Sequence, residues 1–173
     1  MAVTVFQYGS NTSIERLNGP DRLQGSAIAR GLAETVERFD LAFTRLTRSG
    51  WAAADLSPGA GRRIFGVVYD IPEHRVFRSH AMPAIRTLDD IEAEGEAYRR
   101  IGIRVRLCAD GTLTDAVTYV VNDPQANLRT TPEYVRYIVT GLRSFGAPEE
   151  YLDYVKTRAR SSDPALAEIL RTM

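Results

Sequence analysis

Four residues near the start of the chain have the composition of a turn that can bind an anion. Tyr8-Gly9-Ser10-Asn11 ends a short run from Val3 that is rich in β-branched and aromatic residues, and this pattern predicts a strand leading into a turn. Glycine lets the chain turn tightly, so that successive backbone N–H groups can converge on one oxyanion. Because Gly, Ser and Asn are also the usual residues of surface turns, the tetrapeptide alone favours an ordinary turn.

A second candidate for chemistry is an acidic segment in the middle of the chain. If it forms a helical turn, Glu92 and Glu96 share a face at i, i+4 spacing while Leu88 and Ile91 point inward. A solvated acidic face is the commoner meaning of this pattern. A carboxylate buried beside the turn would instead have a pKa raised by desolvation, and it could then exchange protons near neutral pH. The carboxylates of the segment are Asp89, Asp90, Glu92, Glu94 and Glu96.

The histidines and the cysteine argue against a metal or thiol site. His74 and His80 are six residues apart, which does not suit one helical face, and the chain has no other histidine. The single cysteine, Cys108, lies in an alternating strand-like run and is expected to be a buried or half-buried structural thiol. We therefore expect neither a metal site nor an internal disulfide.

Two tyrosines and two arginines in the second half are further candidates. Most tyrosines there are expected in the core, but Tyr98 and Tyr119 are retained as candidate site residues. Arg99 and Arg100 follow Tyr98 into a strand, where they can pair with the acidic segment or with a substrate carboxylate. An ion pair with the acidic segment is the favoured interpretation.

The elements that must position these residues predict an α+β domain. Ile64 to Ile71 is almost continuously apolar, as expected of a central strand buried on both faces. Arg99 to Cys108 and Leu113 to Val121 flank Ala109-Asp110-Gly111 and predict a hairpin. Strands fill the first two thirds of the chain and helices its end, which favours a mixed or antiparallel sheet, closed or strongly curled, with helices on one side. Helices are predicted after Ser13, Thr131, Pro148 and Ser162.

Two other stretches have less decisive patterns. Apolar residues from Ile28 to Phe39 recur at helical spacing, whereas Phe39 to Phe43 alternates like a strand. Arg48 to Arg63 contains Ser-Gly, Ser-Pro-Gly and Gly-Arg-Arg, and it predicts an exposed loop with Trp51 as its one large anchor.

Length and charge limit the classes of protein to consider. A chain of 173 residues with 44% apolar residues is expected to form one domain over residues 1–173. Its formal net charge is zero, so no long-range field attracts nucleic acid or an anionic membrane. With no basic leader and no apolar run of about 18 residues, we expect a soluble, cytoplasmic protein. A homodimer is left open.

Several motifs occur in a fixed order along nearly the whole chain. Phe6 to Asn11, Ile64 to Tyr69 and Leu88 to Glu92 resemble the opening Tyr-Gly-Ser-Asn loop, the Gly-Val-Val/Leu-Tyr core strand and the Leu-Asp-x-x-Glu segment of the γ-glutamylcyclotransferase-like (AIG2-like) superfamily. Tyr98 and Arg100 occupy the places of its Tyr-x-Arg. Similar matches continue through Phe39 to Phe43, Thr118 to Val120, Pro132 to Gly141 and Gly146 to Tyr151.

The resemblance implies a fold and a set of roles. It implies a small β-barrel with flanking helices and a strand over Ala33 to Arg38, against the helical spacing found there. It implies that the glutamate of the Leu-Asp-x-x-Glu segment is the catalytic acid/base. In the family this glutamate is usually followed by glycine, but here Glu92 is followed by Ala93, and the Glu-Gly pair is Glu94-Gly95. Spacing from both flanks favours Glu92, and the dipeptide favours Glu94.

The reaction implied is an intramolecular acyl transfer that needs no cofactor. The α-amine of a γ-glutamyl compound attacks its own γ-carbonyl, which forms 5-oxoproline and releases an amine or amino acid. The turn at Gly9 to Asn11 would supply N–H donors, Tyr8, Tyr98 and Tyr119 would line the site, and Arg100 would orient Glu92. The alternatives are the same chemistry on a γ-glutamyl amine or a glutamyl-protected intermediate, and a non-catalytic binding module of the same fold.

Overall fold

In the computed structural model, which describes residues 1–173, five of seven strands close into a barrel in the order β1-β5-β2-β6-β7. The remaining two strands, β3 and β4, form a separate hairpin. Neighbouring barrel strands are antiparallel, except that β1 and β7 meet in parallel at Val5 and Val117. The strands are β1 (Ala2–Gln7), β2 (Ile28–Thr35), β3 (Phe39–Leu46), β4 (Ala52–Pro58), β5 (Phe65–Pro72), β6 (Tyr98–Leu107) and β7 (Leu113–Val121).

Six α-helices accompany the strands. Two of them are longer than five residues, and both follow the last strand, as the sequence pattern predicts. Their N-terminal signals are used as expected: the Thr131 hydroxyl accepts a hydrogen bond from the Tyr134 N–H at 3.2 Å, and Pro132 begins the helix. None of the helices is both long and apolar enough to span a bilayer. The helices are α1 (Ile14–Leu17), α2 (Glu73–Val76), α3 (Leu88–Glu92), α4 (Pro132–Ser144), α5 (Glu149–Ser162) and α6 (Ala167–Arg171).

Strand β5 lies between β1 and β2 in the barrel wall. It pairs with β1 on one side and β2 on the other. Val67, Val68 and Tyr69 are all fully buried although they alternate between its two faces. The prediction from the apolar run is therefore confirmed, and the register with β1 fixes where Gln7 and Tyr8 leave the barrel.

The helical spacing between Ile28 and Phe39 is misleading, because Ile28–Thr35 is the strand β2. Its pairing with β5 shifts register between Ala29 and Gly31, and this β-bulge turns later side chains to the other face. Ile28 is therefore 69% exposed while Leu32, four residues on, is buried. The strand also ends at Thr35, earlier than the resemblance implies.

The expected long loop from Arg48 to Arg63 is also wrong. A short turn at residues 47–51 leads into β4, whose first five residues are all buried. The run Ala-Ala-Ala-Asp-Leu lacks the β-branched residues that indicate a strand. Long-range contacts hold the strand instead: it pairs with β3, and the buried Asp55 carboxylate accepts hydrogen bonds from the Val121 N–H at 2.9 Å and the Thr44 hydroxyl at 3.0 Å.

Two smaller expectations are corrected as well. Cys108 is exposed, because β6 ends at Leu107 and the thiol lies at the start of the hairpin turn. Glu96 does not share a helical face with Glu92, because α3 ends at Glu92 and Ala93 adopts a left-handed conformation.

Candidate active site

A cavity of about 370 Å³ lies where β1 ends, between the β3–β4 hairpin and α3. Its wall brings together residues from widely separated parts of the chain, including all the predicted site residues except Arg100. The predicted residues that line it are Tyr8, Gly9, Ser10, Asn11, Glu92, Tyr98 and Tyr119.

The predicted turn forms one edge of the cavity and is held firmly in place. Residues Ser10–Thr12 make a single 3₁₀ turn, closed by a hydrogen bond from the Thr12 N–H to the Gly9 carbonyl at 3.0 Å. The Thr12 hydroxyl donates to the Ile138 carbonyl on α4 at 3.3 Å. The three residues of the turn are buried, so the turn is part of the protein interior and not a surface turn.

Glu92 is the carboxylate that reaches this turn. It is the last residue of α3, which begins with a capping box made by Thr87 and Asp90. The Asn11 side-chain N–H donates to Glu92 Oε1 at 2.6 Å, which joins two sequence motifs 81 residues apart. On the other side, Arg22 donates to Asn11 Oδ1 at 2.5 Å. A chain of hydrogen bonds thus runs from Arg22 through Asn11 to the carboxylate.

The environment of Glu92 favours its protonated form. Burial raises the pKa of its carboxyl above the ordinary value of 4.5, while Arg22, the hydrogen bond from Asn11 and Arg16 oppose this in decreasing order. A half-buried carboxyl under opposing influences of this kind can accept a proton and release it again. Glu94 has no such place: it lies outside the cavity wall, 3.8 Å from Arg100 Nε.

The residue after Glu92 has a backbone conformation that suits the glycine of the Glu-Gly pattern. Ala93 has φ 50° and ψ 52°, the left-handed conformation in which glycine has no steric penalty. Position 93 is therefore a glycine-type position in geometry, although an alanine occupies it. Gly95, which follows Glu94, also has a positive φ of 88°, so this conformation does not distinguish the two glutamates. The presence of Glu92, and not Glu94, in the cavity wall agrees with the spacing that favours Glu92.

Replacing Ala93 with glycine is expected to stabilise the fold by about 1 kcal/mol, because a left-handed residue loses its Cβ clash. Chemical denaturation of wild type and Ala93→Gly would measure the difference. Ala97→Gly is the matched control, because Ala97 is buried and is not among the positive-φ residues. The Ala97→Gly variant should be less stable than wild type. Equal destabilisation of both variants would contradict the assigned conformation of position 93.

Three buried tyrosines form the inner wall of the cavity. The Tyr8 hydroxyl donates to the Tyr119 carbonyl at 2.6 Å, and the Tyr98 hydroxyl donates to the Ala54 carbonyl at 3.0 Å. The Tyr134 hydroxyl accepts from the Ala54 N–H at 3.0 Å, so its own proton can point toward a bound molecule. Burial is the main factor that raises the pKa of all three phenols, which stay neutral.

Tyr119 and Arg100 hold α3 in place through its residue Asp89. They are opposite each other in the β6–β7 register, so both side chains reach the same carboxylate. Tyr119 donates to Asp89 Oδ1 at 2.8 Å, and Arg100 Nε lies 3.4 Å from the same oxygen. The favoured ion pair between Arg100 and the acidic segment is thus present, with Asp89 and not Glu92 as the nearer carboxylate, and Phe77 stacks on the guanidinium.

Sequence reasoning missed several residues of the cavity wall. Tyr134 was expected only in the core, yet its hydroxyl lies so near the turn that a Cβ on Gly9 would be 3.1 Å from it. Trp51 packs on Tyr134 with ring centroids 4.8 Å apart. Tyr134 belongs to the closing-helix motif and could have been found there. Nothing in the sequence pattern marks the five arginines of the wall, Arg16, Arg22, Arg45, Arg48 and Arg86.

No group of histidine, cysteine, aspartate and glutamate side chains in the structure is arranged to hold a metal ion. The polar groups of the cavity are instead a carboxyl, phenols, an amide and guanidinium groups. They can bind charged ends of a small molecule and transfer a proton.

Two solved structures share the arrangement of strands and helices. A protein described as "Gamma-glutamyl cyclotransferase" is 23% identical, with a TM-score of 0.73 over 90% of this chain and 87% of the other. YkqA from Bacillus subtilis is 22% identical, with a TM-score of 0.72 over 92% of this chain but only 55% of the other. No curated protein sequence matches the chain.

These likenesses define the class of fold: a mixed α and β protein of the γ-glutamylcyclotransferase type, with a closed five-stranded barrel flanked by helices. The predicted fold class is confirmed. The profile of the AIG2-like family matches residues 63–155, more than half of the chain. The chain belongs to the AIG2-like family.

Proposed function

We propose that the protein is a γ-glutamylcyclotransferase-type enzyme that converts a γ-glutamyl group into 5-oxoproline. The observation that best supports this proposal is the hydrogen bond of 2.6 Å between Asn11 and Glu92. It puts a carboxyl with a raised pKa beside a buried turn, within a cavity large enough for a small molecule.

The substrate supplies its own nucleophile in this reaction. The α-amine nitrogen bonds to the γ-carbonyl carbon, and the bond from that carbon to the leaving nitrogen breaks. The protein has to hold the γ-glutamyl chain curled, so that the amine and the carbonyl meet at reacting distance. The buried phenols of Tyr8, Tyr98 and Tyr134 give the cavity a rigid inner wall for that purpose.

Glu92 accounts for the protons. Its carboxylate takes one proton from the attacking nitrogen and returns it to the leaving nitrogen, so the carboxylate is regenerated and no proton is gained or lost. The raised pKa brings its basicity nearer to that of an amine under reaction conditions. Asn11 keeps the carboxylate oxygen directed at the site, and Arg22 keeps Asn11 in its orientation.

The turn and Tyr134 are the proposed donors to substrate oxygens. Among the backbone–backbone hydrogen bonds outside the strands and helices, none uses the N–H groups of Gly9, Ser10 or Asn11, and the Ser10 N–H is directed at the Tyr134 hydroxyl. These N–H groups and the Tyr134 proton can stabilise the negative charge that develops on the γ-carbonyl oxygen or hold the α-carboxylate. No cofactor takes part in this scheme.

Two alternatives use the same cavity. The protein could act on a γ-glutamyl amine or a glutamyl-protected intermediate, or it could bind a small molecule without reaction. Incubation with a panel of γ-glutamyl amino acids and γ-glutamyl amines, followed by quantification of 5-oxoproline, tests the enzyme proposal directly. We expect 5-oxoproline from at least one donor in stoichiometric amount with the released amine. Absence of product from every donor, with binding detected by calorimetry, would favour the binding module.

A further inference from the structure

The cavity wall has an excess of positive charge in a chain whose formal net charge is zero. Five arginines line it against three carboxylates, Asp90, Glu92 and Glu96. Clefts lined mainly by one sign of charge attract ligands of the opposite sign. The distribution of partners among these arginines shows which part of a ligand they serve.

The charged side chains of the inner wall have contacts within the protein, although Arg16 and Arg22 contact only neutral groups. Arg22 donates to Asn11, and Arg16 stacks on the Tyr137 ring at 4.5 Å from its centroid. Glu92 accepts from Asn11. Asp90 is held by Arg78, with Nε to Oδ1 at 2.6 Å, and by the Thr87 hydroxyl at 2.8 Å. These groups shape the site. Because the partners of Arg16 and Arg22 are neutral, these two guanidinium groups leave a positive charge beside Glu92, which suits the α-carboxylate of a γ-glutamyl group.

The arginines nearer to solvent have no such partners. We call Arg45, Arg48 and Arg86 the rim arginines. None of them takes part in a side-chain hydrogen bond, an ion pair within 4.0 Å or a cation–π contact in the structure. Arg45 is half-buried on β3, Arg48 lies on the exposed turn that follows, and Arg86 precedes α3. Among the three carboxylates of the cavity wall, Glu96 is the one whose side chain has no hydrogen-bond or ion-pair partner.

The charges of a γ-glutamyl group cannot neutralise the positive charge of the rim arginines. Its α-ammonium and α-carboxylate sum to zero, and both are used close to the reacting atoms and Glu92. The unbalanced positive charge of three arginines over one glutamate therefore faces the leaving group. A leaving group with an extra ammonium would be repelled, and one with two anionic groups would neutralise the rim.

From this geometry we infer that the rim arginines select a γ-glutamyl substrate whose leaving amine has two anionic groups. Carboxylates and phosphates share this chemistry, because the guanidinium fork binds either group bidentately. The inference rests on the proposed function for the γ-glutamyl head and adds the charge of the leaving group to it.

Matched substrate pairs measure this selection. γ-Glutamylaspartate and γ-glutamylasparagine are nearly isosteric and differ by one negative charge at the leaving group. γ-Glutamyl-O-phosphoserine and γ-glutamylserine test phosphate as the second anion. We expect kcat/KM for 5-oxoproline release to favour the more anionic member of at least one pair by about 10- to 100-fold, as is typical of hydrogen bonds to a charged group. The pair with the larger ratio identifies the anion.

Variants test whether the rim arginines cause this ratio. Arg45→Gln combined with Arg48→Gln should lower the ratio toward one, and Arg48→Gln alone, on an exposed turn, serves if the double variant does not fold. Glu96→Gln should raise the ratio a fewfold, an effect that misfolding cannot imitate. Arg106→Gln is the control, because Arg106 is exposed on β6 and lies outside the cavity wall. Its ratio should equal that of wild type.

A binding experiment separates failure of this inference from failure of the proposed function. Calorimetric titration of Glu92→Gln with each donor measures affinity without turnover. Turnover with ratios near one for both pairs would overturn the selection by the rim and leave the enzyme proposal intact. Binding that favours the more anionic donor, without turnover by wild type, would overturn the enzyme proposal and support the rim. Neither binding nor turnover of any donor would overturn both.

Discussion

Glu92→Gln is expected to lower kcat with a γ-glutamyl donor by about 10²- to 10⁴-fold, the usual contribution of a positioned acid or base. The amide keeps the oxygen that accepts the hydrogen bond from Asn11, so the geometry of the cavity should persist. Only the proton transfer is removed. The measurement is 5-oxoproline release under saturating donor, with donor affinity measured in parallel by calorimetry to show that binding survives.

Glu94→Gln is the matched control for this prediction. Glu94 lies outside the cavity wall and its nearest cation is Arg100 at 3.8 Å. We expect kcat within about twofold of wild type, since a half-exposed ion pair of this length contributes little. A large loss in Glu94→Gln with full activity in Glu92→Gln would reverse the assignment, in favour of the glutamate that precedes a glycine.

Wild type and Glu92→Gln should also differ in the pH dependence of activity and stability. Because burial raises the pKa of Glu92 above 4.5, kcat/KM of wild type should rise with pH along a limb centred above that value. A raised folded pKa also has a consequence for stability. The contribution of the protonated group is full below the unfolded pKa and is lost as pH rises through the folded pKa. Wild type should therefore lose stability relative to Glu92→Gln, which does not titrate, as the pH rises from about 4 to neutral.

The barrel was predictable where a local pattern agreed with the tertiary environment. The apolar run in β5 and the turn between β6 and β7 gave their strands correctly, and Thr131 began α4 as expected. Prediction failed where long-range pairing determined the conformation. The bulge near Gly31 displaced the apolar positions of β2 into helical spacing, and the buried Asp55 held an alanine-rich strand that has little intrinsic preference for one.

The site was predictable to the extent that motifs mark it. Family motifs identified the turn and Glu92, which lie together in the structure. The partners that tune Glu92 belong to no motif: Arg22 follows a short helix on the same chain segment as Asn11, and only the three-dimensional path brings its guanidinium back to the amide. For Arg100, the sequence favoured an ion pair with the acidic segment, but it does not show which carboxylate is within reach, because that depends on the burial of Asp89.

The position of Asn11 depends on a close contact between its turn and α4. Gly141 lies on α4 against the backbone of this turn, and a Cβ added there would be 2.5 Å from Thr12 C and 2.5 Å from Ser13 N. Backbone atoms cannot rotate away as a side chain can, so the turn and the helix would have to separate. Glycine at 141 is thus the condition for the buried hydrogen bond from Thr12 to Ile138 and for the approach of Asn11 to Glu92.

Gly141→Ala is therefore expected to destabilise the protein by about 1–3 kcal/mol, the usual effect of inserting a methyl group into a closely packed contact. Each kcal/mol should lower Tm by roughly 2–4 °C in a chain of this size. The displaced turn should also reduce kcat by about 10-fold or more at temperatures where the variant is folded, because catalytic geometry tolerates only small displacements.

Gly102→Ala is the matched control for the same change in composition. Gly102 is exposed on β6, and a Cβ there has no atom within 4 Å. Alanine at this position should leave activity unchanged and stabilise the fold slightly, by about 0.4–1 kcal/mol, because it restricts the unfolded chain. Equal stability of Gly141→Ala and Gly102→Ala would contradict the close contact. Lower stability of Gly141→Ala with wild-type kcat would show that hydrogen bonds from Arg22 and to Glu92 hold Asn11 in place even when the turn moves off α4.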